Sequence, residues 1–217
     1  MTLYGLKINF LGDSITEGIG TSKPSERFVD KIADEYHAVC RNYGISGTRI
    51  ARQENASIVE SFDLDFCLRV STMDEDADVV VVFGGTNDFG HGDANFGCPT
   101  DRTPYTFYGA LHTLYADLIK RFPFATIIIV TPLHRCNEEG SLEKTEEMHG
   151  RPLKAYVDAI RATAEYYSLP VLDLYAHGGL QPNVPSNKAL FFADDVHPND
   201  AGHTVIAHKI ANFINSL

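Results

Sequence analysis

Four short segments hold the residues that could do chemistry. Gly12-Asp13-Ser14-Ile15-Thr16 follows the apolar run Leu6 to Leu11 and places a serine where a strand would end. Near the other end of the chain, Asp194-Asp195-Val196-His197 supplies an imidazole with a carboxylate three residues before it. A serine hydroxyl becomes a nucleophile when a base takes its proton, and a histidine base is held in one tautomer by an acceptor on its other ring nitrogen. Between these segments lie Asn42-Tyr43-Gly44-Ile45-Ser46-Gly47 and Gly84-Gly85-Thr86-Asn87-Asp88, each after a strand candidate. Both could donate N–H groups to the oxyanion that acyl transfer creates.

Within each segment the residue types suggest roles. Ser14 precedes the polar stretch Glu17-Gly18-Ile19-Gly20, so its hydroxyl is expected at a turn or helix start, with Asp13 orienting that turn. A carboxylate at i−3 meets His197 on one side of a helical turn, whereas Asp195 at i−2 points elsewhere, so Asp194 is the preferred acid. Pro198 biases His197 away from the α region and toward a fixed loop conformation. Gly47 lets a backbone N–H approach closely, and the Asn87 amide can reach in from its strand end; the N–H of Ser14 is a third donor. His37, His112, His203 and His208 lie within helix candidates and read as surface or capping residues.

These groups need elements to hold them. Apolar runs of strand length recur at Ile8 to Leu11, Val79 to Phe83, Ala125 to Val130 and Leu169 to Leu174, with a weaker one at Ala38 to Asn42. Their continuous character predicts central parallel strands. Helical spacing appears at Ser25 to His37, Ile58 to Met73, Tyr105 to Phe122, Pro152 to Tyr167 and Ala201 to Leu217, with Pro24, Thr103-Pro104, Pro152 and Asn199-Asp200 marking starts. The alternation predicts an α/β fold, a three-layer α/β/α sandwich on a five-stranded, mostly parallel flavodoxin-like sheet, with ligands outside the carboxyl ends of the strands. Phe89 to Thr103 and Leu133 to Gly150 read as irregular loops flanking the site, and His177 to Lys188 as a connecting loop.

The 217 residues fit one domain, 1–217. No window approaches the roughly 18 apolar residues of a membrane span, and Met1 to Asn9 lacks a signal-peptide pattern, so a cytoplasmic location is expected and membrane insertion is not. Cys40, Cys67, Cys98 and Cys136 lack C-x-x-C spacing, which fits reduced thiols rather than a disulfide framework or a metal site. A formal net charge of −11 disfavours nucleic acid and anionic membrane surfaces as partners. The sequence leaves homo-oligomer formation open.

Taken in order and spacing, the four segments resemble those of the SGNH hydrolases, also called the GDSL lipase/esterase family, over nearly the whole chain. The resemblance implies Ser14 as nucleophile, His197 as base, Asp194 as the acid of a D-x-x-H motif, and Gly47 and Asn87 as the oxyanion-hole pair beside the Ser14 N–H. Ile15 stands where the family's name carries Leu, a volume-conserving exchange. The implied activity is hydrolysis of a small-molecule ester through an acyl-enzyme, with no metal or organic cofactor. Polar groups in Asp88 to Asp93 and His134 to Glu138, and the lack of a long apolar lid, favour short acyl groups, acetyl first, on sugars, with His91 and His134 as candidate substrate contacts. Two other readings stand beside it: a lysophospholipase or acyl-thioesterase with Phe89, Phe96, Tyr105, Phe107 and Tyr108 lining an acyl groove, and a carbohydrate-binding protein without turnover. A nucleotide-binding module is disfavoured, because no G-x-G-x-x-G or P-loop pattern follows the first strand.

Overall fold

The structure, a computed structural model, describes residues 2–140 and 151–217. Strands β1 (Lys7–Gly12), β2 (Val39–Gly44), β3 (Val79–Phe83), β4 (Thr126–Val130) and β5 (Val171–Leu172) form one sheet in the order β2-β1-β3-β4-β5. Every pairing is parallel. The helices are α1 (Ser14–Glu17), α2 (Phe28–Tyr36), α3 (Phe66–Arg69), α4 (Thr86–His91), α5 (Phe107–Arg121), α6 (Leu153–Tyr166), α7 (Leu174–His177), α8 (Pro185–Phe191) and α9 (Asp200–Ser216). This is the expected α/β/α arrangement.

The apolar runs are continuous because both sheet faces are covered. Ile8, Phe10, Val79, Val81, Phe83, Ile128 and Val130 pack into one core with α2 and α9. Leu11, Val80, Val82, Ile127 and Ile129 face the other way, into a core with α5 and α6. Register then aligns the strand ends: Gly12 lies opposite Gly44 and Phe83, Phe83 opposite Val130, and Val130 opposite Leu172. The segments leaving β1, β2, β3 and β4 therefore emerge along one edge. Strand order reverses beside β1, the position where doubly wound sheets hold ligands.

Three local expectations are corrected. Ile58 to Met73 is not one helix but a 3-10 turn at Glu60–Asp63, the short α3, and a second 3-10 turn at Val70–Thr72. Asp63 turns back to the Ser57 N–H at 2.8 Å, and Asp65 caps a fresh start by accepting from the Leu68 N–H at 2.9 Å, so side chains compete with the helical ladder. Residues 185–191 form α8 rather than loop, with Pro185 in its first turn. The run Leu169 to Leu174 pairs only at Val171–Leu172, because Asp173 then caps α7 through the Ala176 N–H. Of the expected irregular stretch Leu133 to Gly150, residues 141–150 lie outside the described residues. Among the described residues no helix is long and apolar enough to cross a membrane.

Helix α9 begins where Asn199 Oδ1 accepts from the N–H groups of Ala201 and Gly202. On its buried face His203 is fully enclosed, stacks on Phe28 with ring centroids 5.8 Å apart, and accepts the Phe28 N–H at Nδ1, 3.2 Å away. Burial pulls its pKa from 6.5 down to about 4, with the Ile19 carbonyl and Asp200 acting the other way. Between these values the unfolded imidazole carries a proton that the native one refuses. Stability is thus full above pH 6.5 and falls as pH drops through this window. In urea titrations the loss of unfolding free energy between pH 7 and pH 4.5 should be about 2 kcal/mol smaller in His203→Gln than in the wild type; equal losses would assign the pH dependence to other groups.

Candidate active site

After β1 the chain turns sharply into α1. Gly12 permits this, because a Cβ there would lie 1.9 Å from Thr16 Oγ1. Asp13 Oδ1 accepts the Ile15 N–H at 3.0 Å, and Gly18, in the left-handed region at φ 101°, closes the turn by donating to Ser14 O. Ser14 therefore sits at a helix start, 6% exposed, with its Oγ 2.9 Å from His197 Nε2. On the other side of that ring, His197 Nδ1 lies 2.7 Å from Asp194 Oδ2.

The Asp194–His197 segment is a bend, not the helical turn expected for the i−3 spacing. Asp194 Oδ1 accepts the N–H groups of Val196 at 2.7 Å and His197 at 2.6 Å, so the backbone wraps round the carboxylate while Oδ2 stays available to the imidazole. An antiparallel bridge between Phe192 and Pro198 closes the bend just before α9. Burial raises the Asp194 pKa, but the hydrogen bonds from His197 and Val196 outweigh it and hold the carboxyl below its ordinary value. Asp195 points away, to Lys188.

The two donor segments are joined by α4. Gly47 adopts φ +75°, and a Cβ there would lie 2.2 Å from the Phe62 ring, so no other residue fits without moving the loop. Glu17 Oε2 accepts both the N–H and the hydroxyl of the preceding Ser46, at 2.6 and 2.5 Å. Asn87, in the first turn of α4, donates one amide hydrogen to Thr48 O at 3.0 Å and keeps a second. Its neighbour Asp88 accepts the N–H groups of Ile50 and Ala51, both at 2.9 Å. Ser14, His197, Asp194, Gly47 and Asn87 thus gather on the same edge of the sheet. A hydroxyl hydrogen-bonded to an imidazole, which is hydrogen-bonded to a carboxylate, can pass its proton to the ring as it attacks a carbonyl.

Several residues in this network escaped the sequence reading. Arg69, 4% exposed, donates to Tyr43 O at 2.6 Å, Gly12 O at 3.1 Å, Leu64 O at 2.9 Å and Thr48 Oγ1 at 2.9 Å. Burial pulls its pKa down to about 10, which leaves it charged at neutral pH. Nothing in Phe66-Cys67-Leu68-Arg69 distinguishes a buried arginine from a solvent-facing one. Burial raises the carboxyls of Asp13 and Asp88 to about 6, against their backbone hydrogen bonds and against His197 and Arg69 for Asp13 and Arg49 for Asp88. Asp88 belongs to the segment already singled out; its hold on the backbone of Ile50 and Ala51 was not legible.

The candidate substrate histidines lie on opposite flanks. His91 ends α4, with Nδ1 3.2 Å from Arg49 Nη1 and its ring 5.7 Å from Phe62. It lines a cleft of about 550 Å³ with Arg49, Gln53, Asn55, Ile58 and Phe62, whose ring also abuts Gly47. His134 is engaged by Glu138, 2.9 Å from each carboxylate oxygen, and its ring lies 3.9 Å from that of Tyr175. Among the described residues no cluster of three or more His, Cys, Asp and Glu side chains is placed to hold a metal ion.

Removing the Arg69 fork would take a buried donor from three carbonyls and a hydroxyl, leaving Gly12 O the Ile45 N–H at 3.2 Å. Arg69→Met is expected to lower the unfolding free energy by about 3 kcal/mol or more, measured by urea denaturation. A loss below about 1 kcal/mol would mean that water or other donors replace it.

The model of the GDSL-like Lipase/Acylhydrolase family matches residues 10–205. A crystal structure of a protein from Lactobacillus plantarum is 31% identical, with a TM-score of 0.83 over 98% of each chain. The lipase/acylhydrolase from Enterococcus faecalis is 21% identical, with a TM-score of 0.64 over 97% of this chain and 96% of that one. A member of the lipolytic G-D-S-L family from Veillonella parvula is 17% identical, with a TM-score of 0.60 over 97% and 99%. Among curated proteins none matches. The chain belongs to the GDSL-like lipase/acylhydrolase family and is an ester-cleaving hydrolase.

Proposed function

We propose that the chain hydrolyses short-chain esters, acetyl esters of carbohydrates foremost, with Ser14 as nucleophile, His197 as general base and acid, and Asp194 as the group that holds the imidazole. The observation that carries this reading is the unbroken line from Ser14 Oγ through His197 to Asp194, with contacts of 2.9 and 2.7 Å. In the first step His197 Nε2 takes the hydroxyl proton as Ser14 Oγ bonds to the ester carbon, and the carbonyl oxygen becomes an oxyanion. The N–H groups of Ser14 and Gly47 and the free hydrogen of the Asn87 amide stabilise it. The imidazolium then protonates the departing alcohol, leaving an acyl-Ser14. Water, deprotonated by the same imidazole, attacks that ester and releases the acid.

Two features of the packing support a small acyl group and a hydroxyl-rich alcohol. Phe89 and Phe107, which an acyl groove would need, are buried in the core; Phe107 stacks on Phe96 and meets Tyr156 edge-on. Tyr105 instead turns outward beneath Arg52. The cleft beside Gly47 combines an aromatic ring, Phe62, with the polar groups of Arg49, Gln53, Asn55 and His91, a mixture suited to a sugar ring. A lysophospholipase or acyl-thioesterase is the second reading, favoured by Ile58, fully exposed at the rim of the same cleft. The four unbridged cysteines fit a cytoplasmic setting.

Initial rates on p-nitrophenyl acetate, butyrate, octanoate and palmitate, beside acetylated xylo-oligosaccharides, test the reading. Activity should be confined to acetate, butyrate and the acetylated sugars. It should vanish in Ser14→Ala, whose melting curve stays near that of the wild type. Asn87→Ala should lower kcat by about 100 to 1,000-fold. Activity retained in Ser14→Ala would overturn the mechanism, and a maximum at octanoate or longer would replace the sugar ester with a lipid or thioester.

A further inference from the structure

The segment that leaves β4 crosses the open end of the sheet and is fastened on both sides of the site. On one side, Arg135 Nη1 lies 3.3 Å from Thr86 O and 3.5 Å from Thr86 Oγ1, in the first turn of α4 beside Asn87. The guanidinium rests over the Phe89 ring, 5.4 Å from its centroid, and so close to Gly90 that a Cβ there would lie 2.7 Å from Nη1. On the other side, the Cys136 N–H donates to Asp195 O at 2.9 Å, which ties the segment to the bend that carries His197. Asn183 Nδ2 also donates to Arg135 O at 3.2 Å. Arg135 therefore stands between the Asn87 helix and the Asp194–His197 bend, the two segments that flank Ser14.

Among the described residues its charge has no directly paired carboxylate. Arg41, Arg49, Arg52, Arg121 and Arg161 each form an ion pair with a carboxylate. Arg135 is half-buried, and among the described residues no carboxylate pairs with it; its side chain has only two long contacts, both to neutral oxygens. Its Nε is buried with no hydrogen-bond partner. Burial lowers its pKa, and Asp194, Asp195 and Asp13 act on it only as nearby charges. A guanidinium stays protonated under such pressure, so the desolvation cost persists until an anion arrives. Its planar fork matches the two oxygens of a carboxylate.

We infer that Arg135 is an anion subsite, and that the ester taken by this site carries a carboxylate on its alcohol portion. The inference rests on the catalytic reading above, in which the departing oxygen faces His197 Nε2 to receive its proton. Because the Arg135 segment is fastened to the His197 bend, the group within its reach belongs to the departing alcohol. Arg135 binds and orients; it takes no part in bond making. An acetylated uronic acid meets both requirements, and a neutral acetylated hexose does not.

The test compares 3- and 4-acetoxybenzoate with the corresponding acetoxybenzamides, matched in size and differing in charge. For the wild type, the ratio of kcat/KM for carboxylate over amide should exceed that of Arg135→Gln by at least about tenfold, mainly through KM. Arg135→Lys should restore part of it, and salt should shrink it in the wild type. Equal ratios in wild type and Arg135→Gln would overturn the subsite, even with Ser14-dependent hydrolysis intact. If no aryl acetate is turned over, the catalytic reading fails instead. Calorimetric binding of the products 3- and 4-hydroxybenzoate still decides the subsite: tighter binding to wild type than to Arg135→Gln, by about tenfold or more, supports it, and equal binding overturns it.

Discussion

At the catalytic end of the sheet, the buried guanidinium of Arg69 ties together the points where β1 and β2 release their chains. Its donors reach Gly12 O, just before the turn that presents Ser14, and Tyr43 O, just before the loop that presents Gly47. A third bond reaches Thr48 Oγ1 in that loop, and a fourth reaches Leu64 O. Buried carbonyls need donors. A single planar group supplies them from one side, beside the Ile45 N–H that Gly12 O also accepts, and ties the Ser14 turn to the Gly47 loop. The desolvation of that charge is set against four hydrogen bonds and the nearby carboxylate of Asp13.

The rest of the site is built by carboxylates accepting backbone N–H groups, two of them, Asp13 and Asp88, buried. Asp13 fixes the Ser14 turn, Asp88 fixes residues 50 and 51, Asp194 fixes the His197 bend, and Glu17 fixes Ser46. Each carboxylate orders backbone beside a reacting group without itself contacting the place where substrate bonds would change. Donors held in this way need no reorganisation when charge develops on the substrate, which is how oxyanion stabilisation gains its strength. Burial pushes the Asp13 and Asp88 carboxyls up to about 6, against the pull of the backbone N–H groups that they accept.

The family to which the chain belongs accounts for ester cleavage. Ser14, Gly47 and Asn87 follow the ends of β1, β2 and β3, whereas Asp194 and His197 sit in the bend before α9. The loops flank them, with the cleft of Arg49, Phe62 and His91 on the β2 side and Arg135 on the β4 side. These two flanks differ in kind. Arg49 is already paired with Asp63 and bonded to Ser57, whereas Arg135 has no carboxylate partner among the described residues.

The sequence by itself determined the architecture and the identity of the grouped side chains. Continuous apolar runs require a sheet covered on both faces, and glycine-rich segments at their ends mark where the chain turns toward ligand. Ser14, Gly47, Asn87, Asp194 and His197 were legible because each sits in a short segment whose local chemistry is unusual. What tertiary structure decided is how polar side chains are spent once buried. The spacing of Ile58 to Met73 is helical, yet Asp63 and Asp65 divert to backbone N–H groups and break it. The i−3 spacing of Asp194 and His197 is realised as a bend, because the carboxylate captures two N–H groups that a helix would have left to its own ladder. Arg69 and Arg135 look alike in sequence, and only their surroundings separate a buried cross-link from a cation that has no carboxylate partner among the described residues. For the arginines the physical reason is range: apolar periodicity is a local property of the chain, whereas the partners of Arg69 lie as far as 57 residues away. For the carboxylates it is competition, because a side chain two to six residues from a backbone N–H can take it before the helical ladder does.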